Sequence, residues 1–224
     1  LGNFYSLPLG TAEVTLLELT TAFAPFANGG MKVEPIAIRR VLDAKGNILF
    51  ENQPHRTKVL DEKIAFLMTD MLKGVLAEGG TAVSAASILH RPAAGKSGTS
   101  QTGINAHLIG YTPDLLAGLY IGDDFEQPLE TTGGALAAPL WAEFMEAALH
   151  DIPARDFPIP PGVNKKTICV HSGLLQSQSC RGPGYDEYFI DGTAPVEQCN
   201  FLNCPHCLPD YWWPWLQDQY RRQP

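Results

Sequence analysis

Apolar residues first recur at helical spacing at Leu16, Leu19, Phe23 and Phe26, which predicts an amphipathic helix. Thr15 and Glu18 at its start have the spacing of a capping box, in which a hydroxyl and a carboxylate satisfy free backbone amides. Asn28-Gly29-Gly30 stops the helix because glycine tolerates the left-handed cap conformation. Pro25 is expected to kink its last turn. Apolar segments at 36–42 and 47–50 flank Asp43-Ala44-Lys45-Gly46 and read as a hairpin with glycine in its turn. Asp61 opens a second helix with Ile64, Leu67, Met68, Met71, Leu72 and Val75 on one face, ending at Gly79-Gly80.

Three strand-like segments follow at 93–100, 107–111 and 115–121, with Pro113-Asp114 turning the chain between the last two. Pro139 is expected to open a helix reaching Leu149, since proline suits a first helical turn. Adjacent strands flanked by helices predict an α+β fold, an antiparallel sheet covered by helices.

The composition fits this picture and narrows the function. With 224 residues, 45% hydrophobic and 18% charged, the chain is a soluble globular protein large enough to bury a core. Sixteen basic against 24 acidic residues give a net charge of -8, which argues against a nucleic-acid partner. No apolar run reaches the ~20 residues needed to cross a bilayer. Leu1-Gly2-Asn3 offers neither a charged leader nor an apolar segment, and the chain reads as an interior piece of a longer protein. All 5 cysteines, Cys169, Cys180, Cys199, Cys204 and Cys207, lie in the last third. Two parts with different stabilising devices are therefore expected, joined by the proline-rich stretch around Pro153, Pro158, Pro160 and Pro161. The expected divisions are 1–151, a linker at 152–166, and a small cysteine-containing tail at 167–224.

Ala94-Gly95-Lys96-Ser97-Gly98-Thr99-Ser100 is the segment richest in chemistry. On a regular strand Lys96 and Gly98 share one face, and Ser97 and Thr99 the other. Gly98 lacks a side chain, so another backbone can approach it closely. Strand amides can pair with an extended peptide, and hydroxyls beside an ammonium suit a carboxylate. The segment therefore suits a strand edge that docks a peptide with a negative end, against the bland alternative of a solvated strand. It is not a phosphate loop, because His90 stands where that motif needs its first glycine.

The surroundings of this segment resemble the transpeptidase domain of class A penicillin-binding proteins. Lys96-Ser97-Gly98 resembles that superfamily's Lys-Thr-Gly motif, with serine replacing the commoner threonine. The stretch from Leu9-Gly10-Thr11-Ala12-Glu13-Val14-Thr15 to Phe26-Ala27-Asn28-Gly29-Gly30 resembles the family segment after its second motif. Gly79-Gly80-Thr81-Ala82, Arg91-Pro92-Ala93, Gly110-Tyr111-Thr112-Pro113-Asp114, Thr132-Gly133-Gly134, Ala137-Ala138-Pro139-Leu140-Trp141 and Phe144-Met145 follow in family order. Asn105 and His107 depart from the Asp and Trp that relatives often carry there. His107 is weighed as a proton carrier and expected instead to be a strand residue beside the site.

The resemblance implies the C-terminal part of a penicillin-binding or serine β-lactamase-like fold, and an enzyme that acylates a serine with the D-Ala-D-Ala end of a peptidoglycan stem peptide. β-Lactams would be its other ligands, and it would need no cofactor or metal. Lys96 and the Thr99 N–H would be catalytic, the latter as an oxyanion donor. Ser97, Gly98, Thr99 and Ser100 would bind substrate. No serine here is followed three positions later by lysine, and no Ser-x-Asn occurs. The nucleophile is therefore expected upstream, with a glycosyltransferase domain and a membrane anchor, on the extracytoplasmic face of the cell membrane. A noncatalytic wall-binding or scaffold module and, less well, a β-lactamase are the alternatives.

The tail segments around Ser172-Gly173-Leu174-Leu175 and Glu187-Tyr188-Phe189-Ile190-Asp191-Gly192-Thr193 resemble an extension found on some of these proteins. Cys199, Cys204 and Cys207 with His206 could read as a zinc site. The oxidising compartment implied by the resemblance favours disulfides. Cys204-Pro205-His206-Cys207 also has the form of a thiol oxidoreductase motif but lacks a following helical pattern. The aromatic cluster Tyr211-Trp212-Trp213-Pro214-Trp215 is expected to pack on the protein, with lipid headgroups or glycan as alternatives.

Overall fold

A computed structural model describes residues 5, 10, 12–100, 103–123, 125, 127–129, 131–200 and 202–204. Leu9, Thr11, His206, Cys207 and the aromatic cluster at 211–215 lie outside the described residues. The chain divides into two units, Leu1–Pro160 and Pro161–Pro224.

In the first unit, α1 spans Leu16–Ala27 and begins with the expected capping box. The Glu18 amide donates to Thr15 Oγ1 at 3.2 Å, and the Thr15 amide donates to Glu18 Oε2 at 2.8 Å. These bonds hold the Glu18 carboxyl below its usual range. Strand β1 (Met31–Val33) pairs antiparallel with β4 (Arg56–Lys58), a pairing the apolar pattern did not suggest. Between them lies the expected hairpin, β2 (Arg40–Leu42) with β3 (Ile48–Glu51). Its first strand is shorter than predicted, since 36–39 make no ladder. Asp43 Oδ1 accepts the amides of Lys45 and Asn47, both at 2.8 Å, and so closes the turn.

Helix α2 covers Glu62–Lys73 with Asp61 as N-cap, ending earlier than Gly79-Gly80. Its buried face also differs from the predicted stripe. Ala65, Phe66 and Thr69 are buried, whereas Ile64 and Met71 are 50% and 63% exposed. Thr69 decides the orientation. Its hydroxyl lies 3.1 Å from Phe26 O, 2.9 Å from Ala65 O and 3.0 Å from the Tyr111 hydroxyl, joining α1, α2 and the sheet. Such a buried polar group must be satisfied, so the helix turns this face inward.

The sheet is antiparallel with order β5-β6-β7: β5 Ala94–Thr99, β6 Asn105–Tyr111, β7 Leu116–Gly122. Helices cover both faces, as an α+β fold requires. On one face Gly118 lies against Thr20 and Leu16 of α1, where an added Cβ would sit 2.0 Å from Thr20 Oγ1. On the other, α3 (Gly133–Ala148) sets Trp141 under Gly110, and its indole N–H donates to Ala117 O at 3.1 Å. Leu108, Ala137, Ala138, Trp141, Met145 and Leu149 form the centre of this core.

Helix α3 starts six residues before Pro139, contrary to expectation, and holds that proline in its interior. Thr132 caps it, accepting the Ala135 amide at 3.2 Å. Its start is set by packing. A Cβ on Gly134 would lie 1.6 Å from Thr81 O, and one on Gly133 would lie 2.1 Å from Gly98 O. Only glycine lets the first turn sit this close.

The second unit contains a long hairpin, β8 (Val163–Cys169) with β9 (Gly184–Ile190). Gly173 and Gly192, with φ of 69° and 81°, make two of its turns.

Candidate functional site

Strand β5 is an edge strand among the described residues, paired only with β6. Ser100 N donates to Asn105 O at 3.0 Å, so the register makes Ser100, Gly98 and Lys96 the residues whose amides face β6. The amides of Ser97 and Thr99 therefore point to the open edge. Lys96 is exposed, and its ammonium curls onto that same edge, donating to Ser97 O at 2.7 Å. Cation and outward amides thus converge along one line of backbone.

The side chains alternate as predicted. Gly98 pairs with His107, and the imidazole fills the space over the glycine; a Cβ there would lie 2.2 Å from His107 Nε2. The expected close backbone approach comes instead at the Gly98 carbonyl, from Gly133. His107 is half-buried, and burial, then the Lys96 charge, hold its pKa below the usual histidine value. It is a neutral residue packed beside the strand at pH 7.

Ser97 and Thr99 face α3, where the protein itself engages their hydroxyls. Ser97 is 8% exposed, and its hydroxyl lies 2.7 Å from Thr81 Oγ1. Thr99 Oγ1 accepts the Gly133 amide at 2.8 Å. A hydroxyl that accepts in this way keeps its hydrogen for a further acceptor. The first turn of α3 also directs its positive end toward Thr99, which favours an anion nearby. Ser100 Oγ accepts the Asn105 amide at 3.1 Å, and Asn105 Oδ1 accepts the Tyr120 hydroxyl at 2.6 Å, closing the end of the ribbon.

Thr81 and Gly133 were legible only as parts of motifs; their place beside Ser97 and Thr99 needs the fold. The glycine preceding or following each of them is the local signal, since paired glycines mark a backbone that must pass close to another.

A family model described as the penicillin binding protein transpeptidase domain matches residues 2–146. One described as the penicillin-binding protein 1A C-terminal domain matches residues 159–202. Penicillin-binding protein 2D of Bacillus subtilis is 39% identical over 201 residues, covering 87% of this chain and 29% of its own length. Penicillin-binding protein 1A of Aquifex aeolicus is 34% identical over 207 residues, 89% of this chain and 27% of its own. Among solved structures, penicillin-binding protein 1A from Haemophilus influenzae aligns with a TM-score of 0.76 and 29% identity, covering 87% of this chain and 34% of that one. The imipenem acyl-enzyme complex of penicillin-binding protein A from Mycobacterium tuberculosis aligns with a TM-score of 0.51 and 26% identity, over 61% of this chain and 31% of that one. The chain thus spans less than a third of the length of these curated relatives.

Proposed function

We propose that this chain, which belongs to the penicillin-binding protein transpeptidase family, supplies one wall of the acyl-transfer cleft of a peptidoglycan D,D-transpeptidase. The open edge of β5 carries the reading. Its outward amides can pair with an extended stem peptide as an added strand. Lys96 places a positive charge on the same edge, suited to the terminal carboxylate of D-Ala-D-Ala and to the carboxylate of a β-lactam. The Thr99 hydroxyl, with its hydrogen available, offers a second contact to that carboxylate. Ser97, Gly98 and Ser100 complete the ribbon: Ser97 through its outward backbone, Gly98 by leaving the strand flat, and Ser100 by pinning its end.

Chemistry on such a substrate requires a nucleophile, which becomes acylated as D-Ala leaves. Ser-x-x-Lys is not present in this sequence, so the serine belongs to another part of the intact protein. The Thr99 N–H, on the open edge, would donate to the carbonyl oxygen as it gains charge during attack, and one such donor contributes about 3 kcal/mol of transition-state stabilisation. A second donor would come from the serine's own amide. The intact protein, which we place on the extracytoplasmic face of the membrane with a glycosyltransferase domain, then passes the acyl group to an amine of a second stem.

The test uses the intact protein, serine included, and its rate of acylation by a fluorescent penicillin. Lys96→Ala is expected to lower that rate at least tenfold with an unchanged melting temperature, because Lys96 is exposed. An unaltered rate in the folded variant overturns the assignment. The chain by itself is expected not to label.

A further inference from the structure

The second unit gathers its cysteines at one point. Cys169, Cys199 and Cys204 are buried, at 0%, 0% and 1% exposure, and their sulfurs all lie within 4.8 Å of one another. Cys180 packs against this cluster, and its thiol donates to Gly182 O at 3.7 Å. The residues come from separate loops, each closed by backbone bonds. Cys169 ends β8, and its amide donates to Leu174 O at 2.9 Å. The Cys180 amide donates to Ser177 O at 3.1 Å, Cys199 to Leu175 O at 2.8 Å, and Cys204 to Asn200 O at 3.0 Å.

Spacing distinguishes the chemistries open to such a cluster. Cys169 and Cys204 sulfurs are 4.0 Å apart. Four sulfurs around zinc at about 2.3 Å, in a tetrahedron, stand roughly 3.8 Å from each other. A disulfide needs about 2.05 Å and joins sulfurs in pairs, with no reason for a third and a fourth to share the same centre. The Cys169 sulfur lies against Gly182. Gly182 leaves room for that sulfur, since an added Cβ would sit 3.3 Å from it. A buried thiolate needs a cation to offset its desolvation.

We propose that Cys169, Cys199 and Cys204, with the neighbouring Cys180 as fourth ligand, form a tetrathiolate site for a structural zinc ion. Binding replaces four S–H bonds with four Zn–S bonds and releases the thiol protons to solvent; nothing is oxidised or reduced. The ion supplies folding energy to a small unit whose core is otherwise thin.

The full chain, reduced and offered zinc, then desalted, is expected to retain a single zinc per chain by elemental analysis. Cobalt offered to the same reduced chain is expected to give the visible absorption and sulfur-to-metal charge-transfer bands of a tetrahedral thiolate site. A thiol reagent is expected to find only Cys207 before chelation and all 5 cysteines after it. Cys199→Ser is expected to lose the zinc. Since that variant can fail by unfolding, Cys207→Ser provides the control: it should keep the full complement, and loss of zinc there overturns the proposed ligand set. A reduced chain that takes up neither metal overturns the proposal, as does native protein whose peptides show these four cysteines joined in disulfides.

Discussion

The two units solve the same problem with different materials. In the first, a three-stranded sheet has helices on both faces, and burial of Trp141, Tyr111, Leu108, Ile109 and Met145 supplies the cohesion. In the second, a single hairpin has little to bury: Val163 and Ile168 are its buried aliphatics among the described residues, beside a cluster of sulfur. A two-stranded hairpin is marginal in water by itself, so so short a unit needs a covalent or metal link. The first unit can consequently leave an edge strand open, whereas the second devotes its most buried side chains to holding itself together.

This contrast predicts separable responses. Removing zinc or blocking the thiols should unfold the second unit and leave the first intact. Trp141→Ala should do the reverse, costing the first unit about 3–5 kcal/mol from lost burial and a residual cavity. Scanning calorimetry of the full chain should show one transition moving and the other still; equal movement of both would mean that the units share one cooperative core. Thr15→Ala removes the hydroxyl half of the α1 capping box and should cost about 1 kcal/mol, again in the first unit alone, measured by urea unfolding.

The smallest effect concerns acid. His107 has a folded pKa below its unfolded value of about 6.5. Below that unfolded value the unfolded chain binds more protons, so stability falls as pH drops, levelling off once pH passes below the folded pKa. His107→Gln should flatten this part of the first unit's profile. If the two profiles stay parallel as the pH falls below neutrality, histidine burial contributes nothing there. The second unit should also weaken in acid, but through protons competing with zinc for sulfur.

Much of the first unit was legible because its signals are local. The Thr15–Glu18 box, the Asp43–Gly46 turn, the Asp61 cap and the three sheet segments each depend on a few neighbouring residues, and all stand where the pattern put them. Lys96-Ser97-Gly98-Thr99 was legible for the same reason, as a strand whose alternation follows from the pleat. Two of the errors are of another kind. Helix α2 carries two apolar stripes, and neighbouring residues cannot say which of them meets Tyr111 and Phe26. Proline at position 139 locally favours a helix start, yet Gly133 and Gly134 dock against Gly98 and Thr81, distant in the chain, and move the start upstream.

The amino-acid order thus settled element type, turn chemistry, the inventory of reactive groups and membership of a family. Folding in three dimensions settled which helix faces are covered, which side of β5 stays open, where the Ser97 and Thr99 hydroxyls find partners, and that three cysteines distant in the chain meet. The division has a physical origin. Caps, turns and pleats are governed by torsions and hydrogen bonds within a few residues, whereas burial, edge exposure and sulfur convergence depend on what remote segments bring into contact.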